Sequence, residues 1–443
     1  MTLWQLPACE AADKIRSGEI SSADLVEACL DRIAATDSDI GAFTHLDRET
    51  ALSDAAAMDR IRRRGRALGE LHGIPLALAE VFDTQSIPSG TPIAPDAKRT
   101  PNTDAAVMDR LREAGAIRIG KTSSNELDAS HVAAVRNPHA ADRSAGTAAS
   151  GSAAAVAAGH VPLALCVQSN GSLINSASYC GIFGFKPTRG MISRRGCFLT
   201  SPSLDQIGVL GRSLQDVATL TDAIAAYDPS DDSSFPRPRP RTLEGYRSEP
   251  PVEPCFAWIE LPFLEAAPES TRHGFEEVME TLGDRIEKIP APKSFTEIGH
   301  HHQVVQSYEL LRSIDRQPAL EPDQINPSLR AILESAKSLT EKDYNLALAM
   351  MAGAEEFFAS FFHDFDAIIA PSALGEAPIL GATISDAACS AIWTFAGLPC
   401  LSAPWLRGES GLPVGVQLIG SAEEDDRLFR TAGWLERHLQ DAA

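Results

Sequence analysis

Twice in the first half of the chain a helical pattern runs into a single glycine and then, within a residue or two, into an apolar strand-like run. The first helix opens at Thr103 or Asp104, carries Val107, Met108 and Leu111, stops at Gly115, and gives way to Ala116–Ile119. The second covers Ala153–Ala158, stops at Gly159, and gives way to Val161–Val167. Glycine ends a helix because it enters the left-handed region without a Cβ clash. Strands alternating with helices of this length build an α/β fold, a mixed sheet covered by helices on both faces. Other segments fit the same layers. Ser21 with Asp24 makes a capping box, after which Leu25, Val26, Cys29, Leu30 and Ile33 share one helical face. Gly73–Val81 alternates as a strand, and apolar runs return at Ala367–Ala370 and Val414–Ile419.

The polar, proline-rich stretch Asp228–Arg241 reads as an exposed connector. These boundaries give one domain over residues 1–443, with an N-terminal helical segment at 1–65. Its α/β core comes from 66–227 and 350–443, and 242–349 is a mostly helical insertion.

A formal charge of −21 opposes binding to nucleic acid or to an anionic membrane. No apolar run reaches the length of about 18 residues that a membrane span needs, and Met1–Gln5 does not begin a secretory signal. The eight cysteines are scattered singly with no paired spacing, so they read as reduced thiols in the cytoplasm. No cofactor is expected. His300, His301 and His302 are consecutive on a helical pattern and diverge by roughly 100° each, so no metal site is expected and a solvated face is the simpler reading.

The richest segment is Arg143-Ser-Ala-Gly-Thr-Ala-Ala-Ser-Gly-Ser-Ala-Ala-Ala-Val-Ala-Ala-Gly159. After it come Gln168-Ser169-Asn170-Gly171-Ser172 and Tyr179-Cys180-Gly181-Ile182-Phe183-Gly184-Phe185-Lys186-Pro187-Thr188. Any one of these alone is an ordinary small-residue loop. Together, with Leu71-His72-Gly73-Ile74-Pro75, Gly120-Lys121-Thr122, Ser203-Leu204-Asp205-Gln206 and Gly411-Leu412-Pro413-Val414-Gly415-Val416-Gln417, the chain resembles the amidase signature family along nearly its whole length.

The resemblance implies a serine–cis-serine–lysine triad. A serine hydroxyl needs a base to become nucleophilic, and in this family a buried neutral lysine supplies it through a bridging serine. The nucleophile position falls on Ser172. The lysine position, which follows Gly-Ile-Pro-x-x-x, falls on Ala79, and the cis-serine position falls on Ala148. Base and relay are therefore both replaced by alanine. Backbone N–H groups of Ser169, Asn170 and Gly171 are the implied oxyanion donors. Thr147 and Ser150 stand where glycine is usual, Asn170 replaces another glycine, and Asn175-Ser176 occupies the place of an Arg-Pro pair.

Substitutes for the base are few. Glu80 follows Ala79 on a strand and should face the opposite side. Lys121 belongs to the Gly-Lys-Thr structural motif, Cys166 reads as a core thiol, and His131 and the His300–His302 run are candidates to approach the pocket, a solvated face being the simpler reading of the run. Losing the base of a serine hydrolase costs on the order of 10⁶ in kcat, and an oxyanion hole with binding leaves roughly 10³ to 10⁴ over water. The expected function is a pseudo-amidase that keeps fold, pocket and Ser172. It acts by binding a small amide- or carboxylate-bearing ligand or a partner, as a homodimer or in a complex with another protein. Ser172 then has a plain role as cap of the following helix. The alternative is an active amidase using Ser172 with a non-standard base. An amidotransferase-like role, passing ammonia to a second substrate, is disfavoured by the acidity and the missing base.

Overall fold

The computed structural model describes residues 2–442 except 67, 92–93, 125–134, 293–294, 316–326 and 383–387. The N-terminal elements are α1 (Ala8–Ser17), α2 (Ser22–Ile40), β1 (Phe43–Leu46), α3 (Arg48–Arg63) and β2 (Pro75–Ala79). A hairpin of β3 (Ser89–Thr91) and β4 (Ala94–Arg99) leads to α4 (Ala106–Ala114) and β5 (Ile117–Thr122). A second hairpin, β6 (Arg136–Asn137) and β7 (Ala140–Ser144), leads to α5 (Ser150–Ala157), β8 (Leu163–Gln168) and α6 (Ser172–Cys180). Then come β9 (Phe183–Lys186), β10 (Gln206–Gly211), α7 (Leu214–Ile224) and α8 (Thr242–Arg247). The next stretch holds β11 (Phe256–Glu260), α9 (Glu269–Leu282), β12 (Ile286–Pro290), α10 (Phe295–Asp315), α11 (Pro327–Ala336) and α12 (Glu341–Phe361). The chain closes with β13 (Ala367–Pro371), α13 (Ala388–Phe395), β14 (Cys400–Arg407), β15 (Pro413–Ile419) and α14 (Asp425–Ala442).

Eleven strands form one mixed sheet in the order β1-β5-β2-β8-β10-β9-β14-β15-β13-β11-β12. Helices cover both faces, as two glycines of β10 show. A Cβ on Gly208 would lie 2.0 Å from a methyl of Leu173 in α6, whereas one on Gly211, three residues on, would lie 3.0 Å from Val217 in α7. An odd spacing on a strand reverses the face.

Local signals act as the sequence implies at several points. Ser21 and Asp24 close a full capping box at the start of α2. Gly115 ends α4 at φ 78°, and Gly159 has φ 81°. Other expectations are corrected. Helix α4 starts later than expected, with Ala105 at the cap, because Asp104 is engaged elsewhere: its carboxylate accepts from the Gln85 N–H at 2.6 Å and pairs with Arg112. The 228–241 stretch is not a free connector. The Asp231 carboxylate is buried against Arg194, and Asp228 accepts from the Ser193 hydroxyl at 2.7 Å. The 242–349 segment also adds β11 and β12, parallel to β13, to the sheet edge.

Candidate active site

Topology brings the three positions singled out in the sequence, Ala79, Ala148 and Ser172, to one end of the sheet. Strands β2 and β8 pair in parallel, so their carboxyl ends, Ala79 and Gln168, lie at the same edge. Helix α5 precedes β8 through the short Ala158–Pro162 connection and packs on it, so its first turn returns to that edge. Helix α6 starts there too, four residues after Gln168. Ala79, the loop before Ser150, and Ser172 thus converge where a parallel αβ arrangement places ligands.

Side-chain direction agrees. Ala79 is registered against Thr122, and the Thr122 hydroxyl lies 2.7 Å from the Ser152 hydroxyl in α5. Neighbours in register share a face, so Ala79 looks toward the helix that carries the glycine-serine loop. The Glu80 carboxylate is held elsewhere: it accepts from the Ser124 N–H at 2.9 Å and lies against Gly90. The loop itself is clamped onto α6, since a Cβ on Gly146 would lie 2.0 Å from the Ser176 hydroxyl. At the other turn Gly171 has φ 107°, and a Cβ there would lie 2.3 Å from the Cβ of Ser390. Only glycine fits both the backbone angle and that approach.

Ser172 is fully buried, and its hydroxyl has no hydrogen-bond partner among the described residues. The capping role expected for it is therefore corrected. Gly171 takes the cap position, Ser172 is the first helical residue, and no side chain caps the helix. The Ser150 hydroxyl at the start of α5 is likewise buried and unpartnered, and α5 also lacks a side-chain cap. Thr147 and Ala149 are buried, while Ala148 is partly exposed and marks where solvent approaches the loop. All described peptide bonds are trans.

Lys121 is buried on β5 with its ammonium donating to the Phe82 carbonyl and to the Ser89 hydroxyl at 3.4 Å. Burial pushes it down to about 8. Cys166 is a buried strand thiol, and His131 lies outside the described residues.

The histidine run needs the larger correction. His300 is exposed, but His302 is 4% exposed and docks on the turn before Ser172, its Nε2–H donating to the Ser169 carbonyl at 2.9 Å. Gln306, one turn further along α10, donates to the Ser169 hydroxyl at 3.4 Å. No local pattern signals this, because which face of α10 is covered is decided by tertiary docking. The same helix brings Glu309 onto Ser201 (2.6 Å), the Ser203 N–H (3.0 Å) and Tyr344 (2.6 Å), fastening the Ser203–Gln206 loop.

Burial lowers the His302 imidazole to about 4, against the opposing pull of its bond to Ser169. Burial, aided by Arg32 and Arg212, takes His160 to about 4 as well. Both folded values lie below the ordinary 6.5, so the unfolded chain binds more protons between pH 6.5 and about 4. Stability is full above pH 6.5 and declines as pH falls toward 4, by on the order of 3 kcal/mol for each histidine. Urea unfolding from pH 7 to 4.5 reads this slope. His302→Gln should flatten it, and an unchanged slope in that variant would refute the assignment.

A family model described as amidase matches residues 24–429. A glutamyl-tRNA(Gln) amidotransferase subunit of Streptomyces coelicolor is 30% identical, covering 98% of this chain and 95% of its own. The protein of that name from Chloroflexus aggregans is 31% identical, covering 98% and 96%. Among solved structures, a chain from a vestigial protein complex bearing on the origins of an s-triazine catabolic enzyme has TM-score 0.90 at 27% identity, covering 98% of both chains. A crystal structure of an amidase has TM-score 0.85 at 28% identity, covering 98% of this chain and 99% of that one. With its sheet, its glycine-serine loop and its buried Ser172 turn, the chain belongs to the amidase signature family.

Proposed function

We propose that this chain is a pseudo-amidase: it keeps the family's fold and nucleophile turn but works by binding a ligand or a partner protein. One observation carries the reading. The Ser172 hydroxyl is buried with no partner among the described residues, while the two positions that would activate it are Ala79 and Ala148. His302, the imidazole that docks on the same turn, is spent on the Ser169 carbonyl and is held neutral. Without a group to take its proton, Ser172 stays a weak nucleophile. The test is covalent labelling of Ser172 by a serine-directed phosphonate, which this reading predicts to be no faster than labelling of a Ser172→Ala control.

A second reading is amide hydrolysis through Ser172 with a non-standard base. It is supported by the relatives, which carry the names of amidases and of an amidotransferase component. Ser172-dependent turnover of any carboxamide would establish it over the first. Those names, and the complex in which one structural neighbour was found, support a protein partner under either reading. The eight cysteines are free thiols, in keeping with a cytoplasmic protein.

A further inference from the structure

Two helices begin at the Ser172 end of the sheet, and neither has a side-chain cap: Ala149 precedes α5 and Gly171 precedes α6. The first N–H groups of a helix have no partner within it. The first turns of both helices are buried, and in α5 the Ser150 N–H is already taken by the Thr147 carbonyl at 2.9 Å. At the head of each sits a serine, Ser150 and Ser172, both fully buried and both with a hydroxyl that has no partner among the described residues. Buried polar groups left without partners are uncommon and call for an explanation. Donors gather here, and the buried Gln168 side-chain oxygen at the end of β8 is also without a partner among the described residues.

The sequence drift runs the same way. The replacements at Ala79 and Ala148 remove the base and its relay, whereas Ser150, Asn170 and Thr147 add polar groups at positions where the family resemblance has glycine. Chemistry has been subtracted and hydrogen-bonding capacity added.

We propose that the Ser172 site is a carboxylate-binding site, in which an acceptor-only anion takes hydrogen bonds from the first turns of α5 and α6 and from the Ser150 and Ser172 hydroxyls. This rests on the pseudo-amidase reading and names its ligand class. A carboxamide of the same shape is the poorer guest. Its neutral head gains nothing from two helix dipoles whose positive ends favour negative charge. No bond is made or broken.

Isothermal titration of the full chain with butyrate against butyramide, and with benzoate against benzamide, tests this. The carboxylate of a pair should bind about tenfold more tightly than its amide, the size expected from two helix N-termini together. That preference should be lost in Ser172→Ala and reduced in Ser150→Gly, which restores the family residue, while thermal unfolding shows that both variants remain folded. Equal affinity for amide and carboxylate, a carboxylate preference untouched by both variants, or no carboxylate binding would each overturn the proposal. Ammonia release from the amides, followed in the same samples, reports separately on the pseudo-amidase reading.

Discussion

Ala79→Lys combined with Ala148→Ser is expected to raise Ser172 reactivity by at least about 10³, whereas each single change gains less than about tenfold, because base and relay act as one unit. The scaffold is suited to the repair. Ala79 faces α5 from the carboxyl end of β2, where a longer side chain would extend toward the loop that carries Ala148. The fold already houses two buried lysines, Lys121 and Lys186, each pushed down by burial to about 8. A third lysine at Ala79, itself 1% exposed, would be depressed in the same way and so partly neutral at neutral pH, as a base must be. Overpacking is expected to cost about 1–3 kcal/mol, so thermal unfolding must accompany the kinetics. The measurement is the phosphonate labelling rate at Ser172, with hydrolysis of a panel of small carboxamides. A folded double variant with no gain would mean that the missing chemistry lies beyond Ala79 and Ala148.

The largest stability effect should come from Arg194→Ala. Arg194 and Asp231 have side chains 5% and 4% exposed and are bonded through Nη2 at 2.7 Å and Nε at 3.2 Å. Arg194 also donates to the carbonyls of Pro202 and of Asp205, the latter at 3.1 Å. One guanidinium therefore ties the 228–234 stretch to the loop that Glu309 fastens from the other side. Removing it takes the counter-charge from a buried carboxylate, which keeps the N–H groups of residues 194 and 233 and the Ser233 hydroxyl, a loss of about 3–5 kcal/mol in urea unfolding. Arg110→Ala, which breaks an exposed pair with Glu113, should cost less than about 1 kcal/mol. Burial raises the Asp231 carboxyl, but its bonds from Arg194 outweigh this and hold it at about 2. Its contribution is present above the ordinary 3.8 and fades as pH falls toward about 2, and Arg194→Ala should weaken that dependence, the N–H groups of residues 194 and 233 still favouring the charged form. Equal losses in the two arginine variants would refute the role given to Arg194.

Much of the fold was legible because its signals are local. The Ser21–Asp24 box and the glycines at 115 and 159 act through their own backbone, and the core strands are apolar enough to be seen in isolation. Strands β11 and β12 were missed. Each is five residues long, and β12 exposes Glu287 and Lys288, so its strand character comes from pairing with β11 rather than from its own composition. The site divides the same way. The motifs single out Ala79, Ala148 and Ser172, and the fold brings the strand end and the two loops that carry them to one edge of the sheet. The docking of His302 on Ser169 could not, since three adjacent histidines look alike until α10 is set against the sheet. Nor could the uncapped start of α6: a serine after a glycine turn reads as a cap, yet Gly171 takes that place at φ 107°.

Ser172 sits on an amidase scaffold, and the proposal that nothing there activates it stands or falls on one experiment. Intact-mass analysis of the native chain after exposure to a serine-directed phosphonate provides it, with the Ala79→Lys/Ala148→Ser variant showing that the reagent can enter. The expected result is no adduct on Ser172 in the native chain and stoichiometric labelling of the repaired one. Prompt labelling of native Ser172, lost in Ser172→Ala, would overturn the pseudo-amidase reading and show that the chain has found another base.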